Sequence, residues 1–184
     1  MREFIYAHFS HVLSLLIMVS RLGDIGSTYL ITPNLTLEAN PVVKKLGWRF
    51  AFLSLFLCFV PYYNTSLAII VLVPSLLISS SNIGKIWLIR SIGEQEYAGM
   101  LLHLARKGKL SHAISGVLVS AFFMFLVGVM LWFLSPNPAL HWGYWFGFGI
   151  MIYSVAIALY GSLYLIRLFR RARKATNSFD QGAA

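Results

Sequence analysis

The chain has 184 residues, of which 58% are hydrophobic and only 11% are charged. A soluble domain has about 25% charged residues, so this composition excludes an ordinary soluble protein and indicates a single membrane domain. The net charge of +9 comes from basic residues beside long apolar stretches, which favours contact with a membrane surface over nucleic acid. The single cysteine, Cys58, excludes a disulfide or a thiolate metal site within the chain.

Five apolar stretches have about the length that a transmembrane helix needs. They occupy residues 7–31, 46–63, 67–89, 116–134 and 142–166. A helix crosses a hydrocarbon core of about 30 Å with about 20 residues. The sequence therefore predicts an all-α fold, a polytopic bundle of five transmembrane helices that forms one domain over residues 1–175.

The basic residues predict the orientation of these helices. With five crossings, the first connection, the third connection and the C-terminal tail share one side of the membrane. Thirteen of the 15 Lys and Arg residues lie on that side, and only Arg2 lies on the other. Because cytoplasmic loops are enriched in Lys and Arg, we expect the N-terminus outside and the C-terminus in the cytosol. The basic side then faces the anionic headgroups of membrane lipids, which are the expected partners.

Residues 91–110 are too charged to form a span. Tyr97, Met100, Leu101 and Leu104 recur there at helical spacing, which predicts an amphipathic helix at the cytosolic face. An ordinary connector helix fits the same pattern, and the sequence does not separate the two.

Two features near the C-terminus also give expectations. Residues 176–184 are polar and rich in small side chains, which predicts a disordered tail. Gly143 and Gly147 have the four-residue spacing of a close-packing helix surface.

The first predicted helix carries a polar stripe. Its members are three or four residues apart and so share one face: Ser10, Ser14, Ile17, Arg21, Asp24 and Thr28. Exposing an ionisable side chain to lipid costs about 2.5 to 3.5 kcal/mol, so we expect this stripe to face the protein interior. Arg21 and Asp24 are one turn apart and can pair. Two interpretations stay open: the ion pair serves only to hold the helix packing, or Asp24 is a functional carboxylate.

More polar residues follow in the next loop and in the third span. Glu38 and Asn40 lie on either side of one alanine, and the following Pro41 biases Asn40 away from helix. In the third span, Asn82 lies about as far from the cytosolic end of its helix as Asp24 does from its own. We therefore expect Asp24 and Asn82 at the same depth, with Glu38 folded over them.

These residues predict one polar site at the cytosolic side of helices 1 and 3. Its members are Arg21, Asp24, Thr28, Glu38, Asn40 and Asn82. Carboxylate, carboxamide and hydroxyl oxygens are the ligands of hard cations such as Mg²⁺ or Ca²⁺, and Asp24 and Glu38 are the candidate metal ligands. The same set suits protons, water or polar headgroups, and no spacing selects one metal.

The motif residues occur in a recognisable order. Asp24 is followed by Thr28 four residues later, then by Glu38-x-Asn40-Pro41, and then by Asn82 two spans on. The pattern covers about residues 20–90 and resembles an uncharacterised family of small bacterial and archaeal integral membrane proteins. The resemblance implies a multi-pass protein of a prokaryotic cytoplasmic membrane with a shared polar site and no assigned activity.

Three classes of function fit these observations. The first is a channel or carrier component that binds a cation or proton, which requires a wet cavity reaching Asp24 from the cytosol. The second is a non-catalytic accessory or structural subunit, in which Arg21 pairs fully with Asp24. The third is an intramembrane lipid-modifying enzyme, in which one carboxylate acts as a base and the cavity opens towards lipid. A homo-oligomer or a larger membrane complex also stays open.

Overall fold

The structure is a computed structural model that describes residues 8–38, 40–135 and 142–181, with the backbone alone at residues 41 and 175–181. All regular elements in these ranges are helical, which confirms the all-α prediction. The helices are α1 (Phe9–Ile31), α2 (Pro41–Leu46), α3 (Trp48–Leu53), a 3₁₀ helix (Ser54–Phe59), α4 (Val60–Tyr63), α5 (Thr65–Ile92), α6 (Glu94–Lys107), α7 (Leu110–Leu134) and α8 (Trp142–Gln181).

Four of the described helices are long and apolar enough to cross a membrane. They are α1, α5, α7 and the part Trp142–Lys174 of α8. Helix α5 is longer than the predicted 67–89, because Asn64 caps its start by accepting a hydrogen bond from the backbone of Leu67. It ends at Gly93, which adopts a φ of 88°, a conformation that favours glycine. The chain is therefore a helical bundle of membrane type.

The second predicted span corresponds to the shorter segment Trp48–Tyr63, which runs antiparallel to α1 along most of its length. At one end, the Trp48 indole donates a 3.1 Å hydrogen bond to the carbonyl of Pro33, just past the end of α1. At the other end, the Tyr62 hydroxyl lies 2.8 Å from Nδ1 of His11. A 3₁₀ helix rises about 2.0 Å per residue against about 1.5 Å in an α-helix, so the segment extends over about 27 Å.

Helices α1 and α5 pack side by side around an apolar core of Leu13, Ile17, Ala68, Ile69, Leu72 and Val73. The buried residues of α1 are Leu13, Ile17, Ser20, Ser27 and Ile31. The helix face that these buried residues form is rotated by about 60° around the axis of α1 from the predicted polar stripe. The rotation places Arg21, Asp24 and Thr28 at the half-buried edge of the α1–α5 contact, where polar groups of both helices meet.

Helices α7 and α8 approach each other through glycines. A Cβ atom on Gly147 would lie 2.6 Å from the carbonyl oxygen of Gly128, and one on Gly143 would lie 2.5 Å from Oγ of Ser135. Both glycines of the four-residue pair thus face α7, and their lack of side chains permits the close approach.

Helix α6 packs on the C-terminal part of α8. Ala105 is buried there against Phe169 and Ala172, whereas Met100 and Leu104, which the sequence placed on the apolar face, remain exposed. Contact with α8 thus centres on Ala105, beside the predicted apolar face, and Tyr97 and Leu101 of that face are half-buried.

The last helix continues further than the sequence suggests. Helix α8 runs to Gln181, so residues 176–181 are helical where a disordered tail is expected. The stretch 142–181 contains no proline to stop the helix, and Phe169 and Ala172 extend its packing surface beyond the apolar span. Residues 182–184 lie outside the described part of the chain.

Candidate functional site

The centre of the site is an ion pair within α1. Nη1 of Arg21 lies 3.1 Å from Oδ2 of Asp24, and the two side chains are 18% and 16% exposed. They are three residues apart, a spacing that brings side chains together on a helix. Asp24 lies seven residues before the end of α1, or about 10 Å along the helix axis. Among the described residues, the buried Nε of Arg21 has no hydrogen-bond partner, whereas Nη1 donates to Asp24.

Polar contacts between α1 and α5 surround this ion pair. Nδ2 of Asn82 donates a 3.1 Å hydrogen bond to Oγ1 of Thr28. One turn earlier in α5, Oγ of Ser79 donates a 3.2 Å hydrogen bond to the carbonyl of Ser20. The side chain of Asn82 therefore reaches Thr28, which lies one turn after Asp24 in α1, and the common depth of Asp24 and Asn82 stays a prediction.

The Glu-x-Asn-Pro motif acts locally as the start of α2. Oε1 of Glu38 accepts a 2.7 Å hydrogen bond from the backbone N–H of Asn40. Oδ1 of Asn40 in turn accepts from the N–H of Val42 at 2.9 Å and caps the helix, with Pro41 in the first turn. The side chain of Asn40 therefore caps α2, while its backbone N–H is held by Glu38. Glu38, in contrast, lies within electrostatic range of Asp24.

Glu94, the first residue of α6, is a member of this region that the sequence analysis missed. The hydroxyls of Thr32 and Thr36 and the backbone N–H of Thr36 donate to its Oε1, and Nδ2 of Asn34 donates to its Oε2 at 3.3 Å. Burial would raise the pKa of Glu94, but these hydrogen bonds outweigh it and hold the pKa below its usual value. Glu94 is therefore ionised at neutral pH and anchors the loop that carries Glu38. The signal in the sequence is the alternation of donors at Thr32, Asn34 and Thr36.

An open pocket of about 110 Å³ adjoins Glu38 at this end of the bundle. Its lining comes from the loop after α1, from α2, from α6 and from α8, and includes Lys44, Leu102, Arg167 and Arg171. Glu38 therefore lines the pocket and also lies within electrostatic range of Asp24.

Tyr153 is the second residue that the sequence did not indicate. It is buried on α8, with 7% of its surface exposed, and lies within electrostatic range of Asp24. Its position in a long apolar helix gave no signal, because aromatic residues are common in such helices. Helix α8 therefore contributes a hydroxyl to the surroundings of the ion pair.

The described residues contain no group of three or more His, Cys, Asp or Glu side chains arranged to hold a metal ion. Asp24 and Glu38 supply two carboxylates, and Arg21 already contacts one of them. The assignment of these two residues as ligands of Mg²⁺ or Ca²⁺ stays a prediction.

Comparisons with models of known families, with curated proteins and with solved structures find no match. The resemblance to small prokaryotic integral membrane proteins stays a prediction that rests on the motifs around Asp24, Glu38 and Asn82.

Proposed function

We propose that the chain crosses a prokaryotic cytoplasmic membrane five times, with its N-terminus outside and its C-terminus in the cytosol. The parallel packing of α1 and α5 supports this topology, since Leu13 and Ala68 share the outer part of the core while Thr28 bonds Asn82 at the other end. Parallel neighbours begin on the same side, so the chain between them must cross back. The segment Trp48–Tyr63 provides this return along α1.

Cysteine labelling tests the topology. In a Cys58→Ser background, Tyr63→Cys should react with a membrane-impermeant reagent in intact cells, because Tyr63 is 92% exposed at the proposed outer end of the segment. Arg173→Cys, on the basic side, should react only after permeabilisation. Labelling of Arg173→Cys in intact cells, or protection of Tyr63→Cys there, would contradict the five-helix topology.

The function that we propose is that of a channel or carrier component that binds a proton or cation at Asp24 and Glu38 from the cytosolic side. The observation that carries it is the position of Glu38, which lines the open pocket and lies within electrostatic range of the buried Asp24. Each carboxylate disfavours the ionised form of the other, and a proton, a cation or an arginine offsets their charges. Arg21 offsets the charge of Asp24, and three basic side chains line the pocket beside Glu38, so a proton suits this site better than a metal cation.

A non-catalytic accessory subunit is the second candidate. The direct contact between Arg21 and Asp24 favours it, because a structural role is enough to explain this ion pair: each side chain neutralises the other inside a membrane bundle. In a channel or carrier component Asp24 and Glu38 bind a proton or a cation, whereas in an accessory subunit they bind neither.

Thermal unfolding of the purified protein separates these candidates. A pH series and additions of Na⁺, Mg²⁺, Ca²⁺ and Mn²⁺ should shift the melting temperature by about 2 to 4 °C per kcal/mol of binding free energy. Asp24→Asn and Glu38→Gln should each abolish the response. Glu96→Gln, at an exposed residue in the first turn of α6, is the matched control and should retain it. A wild-type protein that responds to none of these additions, or a response that survives both substitutions, would favour the accessory subunit.

A further inference from the structure

We propose that the cytosolic pocket beside Glu38 binds the phosphate group of an anionic phospholipid. Three basic side chains from two parts of the chain line this pocket: Lys44 from α2, and Arg167 and Arg171 from α8. Arg167 and Arg171 are four residues apart and so share one face of the helix. This site does not depend on proton or cation binding at Asp24, since it rests on the basic residues alone.

The charges of the lining favour an anion. Three cationic side chains stand against the single carboxylate of Glu38, an excess of two positive charges. In the described ranges, neither Lys44 nor the two arginines form an ion pair with an acidic residue. Positive charges around one pocket repel each other. A bound anion offsets this repulsion, because each positive charge attracts it. The guanidinium group also matches the oxygens of a phosphate in geometry.

The position of the pocket favours a lipid phosphate over a soluble one. Arg167 and Arg171 lie within the membrane-length part of α8, Trp142–Lys174, near its basic end. Leu102 and Leu168 give the pocket an apolar wall. Leu163, one turn before Arg167, is 42% exposed and offers apolar surface for an acyl chain.

The size of the pocket agrees with a headgroup whose chains stay outside. Its volume of about 110 Å³ is well below the range of about 300 to 1,000 Å³ for sites that enclose a whole small molecule. Clusters of Lys and Arg at the cytoplasmic end of a transmembrane helix are a type of site that binds anionic headgroups.

Binding of a short-chain phosphatidylglycerol to the purified full-length protein in a neutral detergent tests the proposal. The double substitution Arg167→Gln and Arg171→Gln should weaken binding about tenfold or more. Arg170→Gln together with Arg173→Gln removes the same charge from exposed positions of the same helix outside the pocket lining, and should change binding less than about twofold. Glu38→Gln should strengthen binding, because it removes the negative charge that opposes the phosphate.

Several outcomes would overturn the proposal. Equal weakening by the two double substitutions would show general attraction between a basic surface and the lipid. Equally tight binding of short-chain phosphatidylcholine would remove the requirement for an anionic lipid, and equally tight binding of inorganic phosphate would assign the pocket to a soluble anion. Lys44→Gln, on α2, gives the same test if the α8 variants unfold, and unchanged binding by a folded Lys44→Gln protein would contradict the role of the pocket.

Discussion

Replacement of either Arg21 or Asp24 alone is expected to destabilise the protein more than replacement of both together. The side chains form an ion pair of 3.1 Å and are largely shielded from solvent. Removing one partner leaves an uncompensated charge, which costs about 3 to 5 kcal/mol in buried pairs. Arg21 depends especially on this partner, because Nη1 donates to Asp24 while the buried Nε has no hydrogen-bond partner among the described residues. The double substitution removes both charges and so avoids this cost.

A double-mutant cycle measures this dependence. The free energy of unfolding in detergent should fall in Asp24→Asn and in Arg21→Leu, and should recover in part in the double variant. Glu96→Gln and Arg106→Leu form the control cycle on α6, where both residues are exposed and should contribute additively. Additive losses at Arg21 and Asp24 would mean that the two residues do not stabilise each other.

The second large effect is expected at the glycine contact between α7 and α8. In Gly147→Ala, the new methyl group would lie 2.6 Å from the carbonyl oxygen of Gly128 and 2.7 Å from the backbone nitrogen of Trp132. Both neighbours are backbone atoms, so the helices must separate to make room. Overpacking of this kind costs about 1 to 3 kcal/mol, and a larger side chain such as leucine should cost more.

Gly116→Ala is the matched control for this prediction. Gly116 lies in the same helix as Gly128, but a Cβ atom there would meet nothing within 4 Å. Alanine is the better helix former by about 1 kcal/mol, so this control should be neutral or slightly stabilising. The measurement is again the free energy of unfolding in detergent, in parallel for Gly147→Ala, Gly128→Ala and Gly116→Ala. Similar values for all three would show that α7 and α8 do not depend on close glycine contact.

Much of the helical architecture follows from the sequence alone. Apolar stretches long enough to cross a membrane predicted the four long apolar helices. A bilayer requires a minimum number of consecutive apolar residues, which can be counted directly in the sequence. Helical periodicity also gave the pairing of Arg21 with Asp24. These features depend on neighbours within one helix, and local spacing is enough to describe them.

The environment of the site was decided by tertiary structure. Glu94 anchors donors that precede it by about sixty residues, and Tyr153 approaches Asp24 from α8, far along the chain. The buried face of α1 is rotated because packing against α5 places small residues such as Ser20 at the centre of the contact and leaves charged ones at its edge. Periodicity reports which residues share a helix face, but not which face meets which partner. That choice depends on the shapes of several helices packed together, and for this reason the basic pocket beside Glu38 had no signature in the sequence.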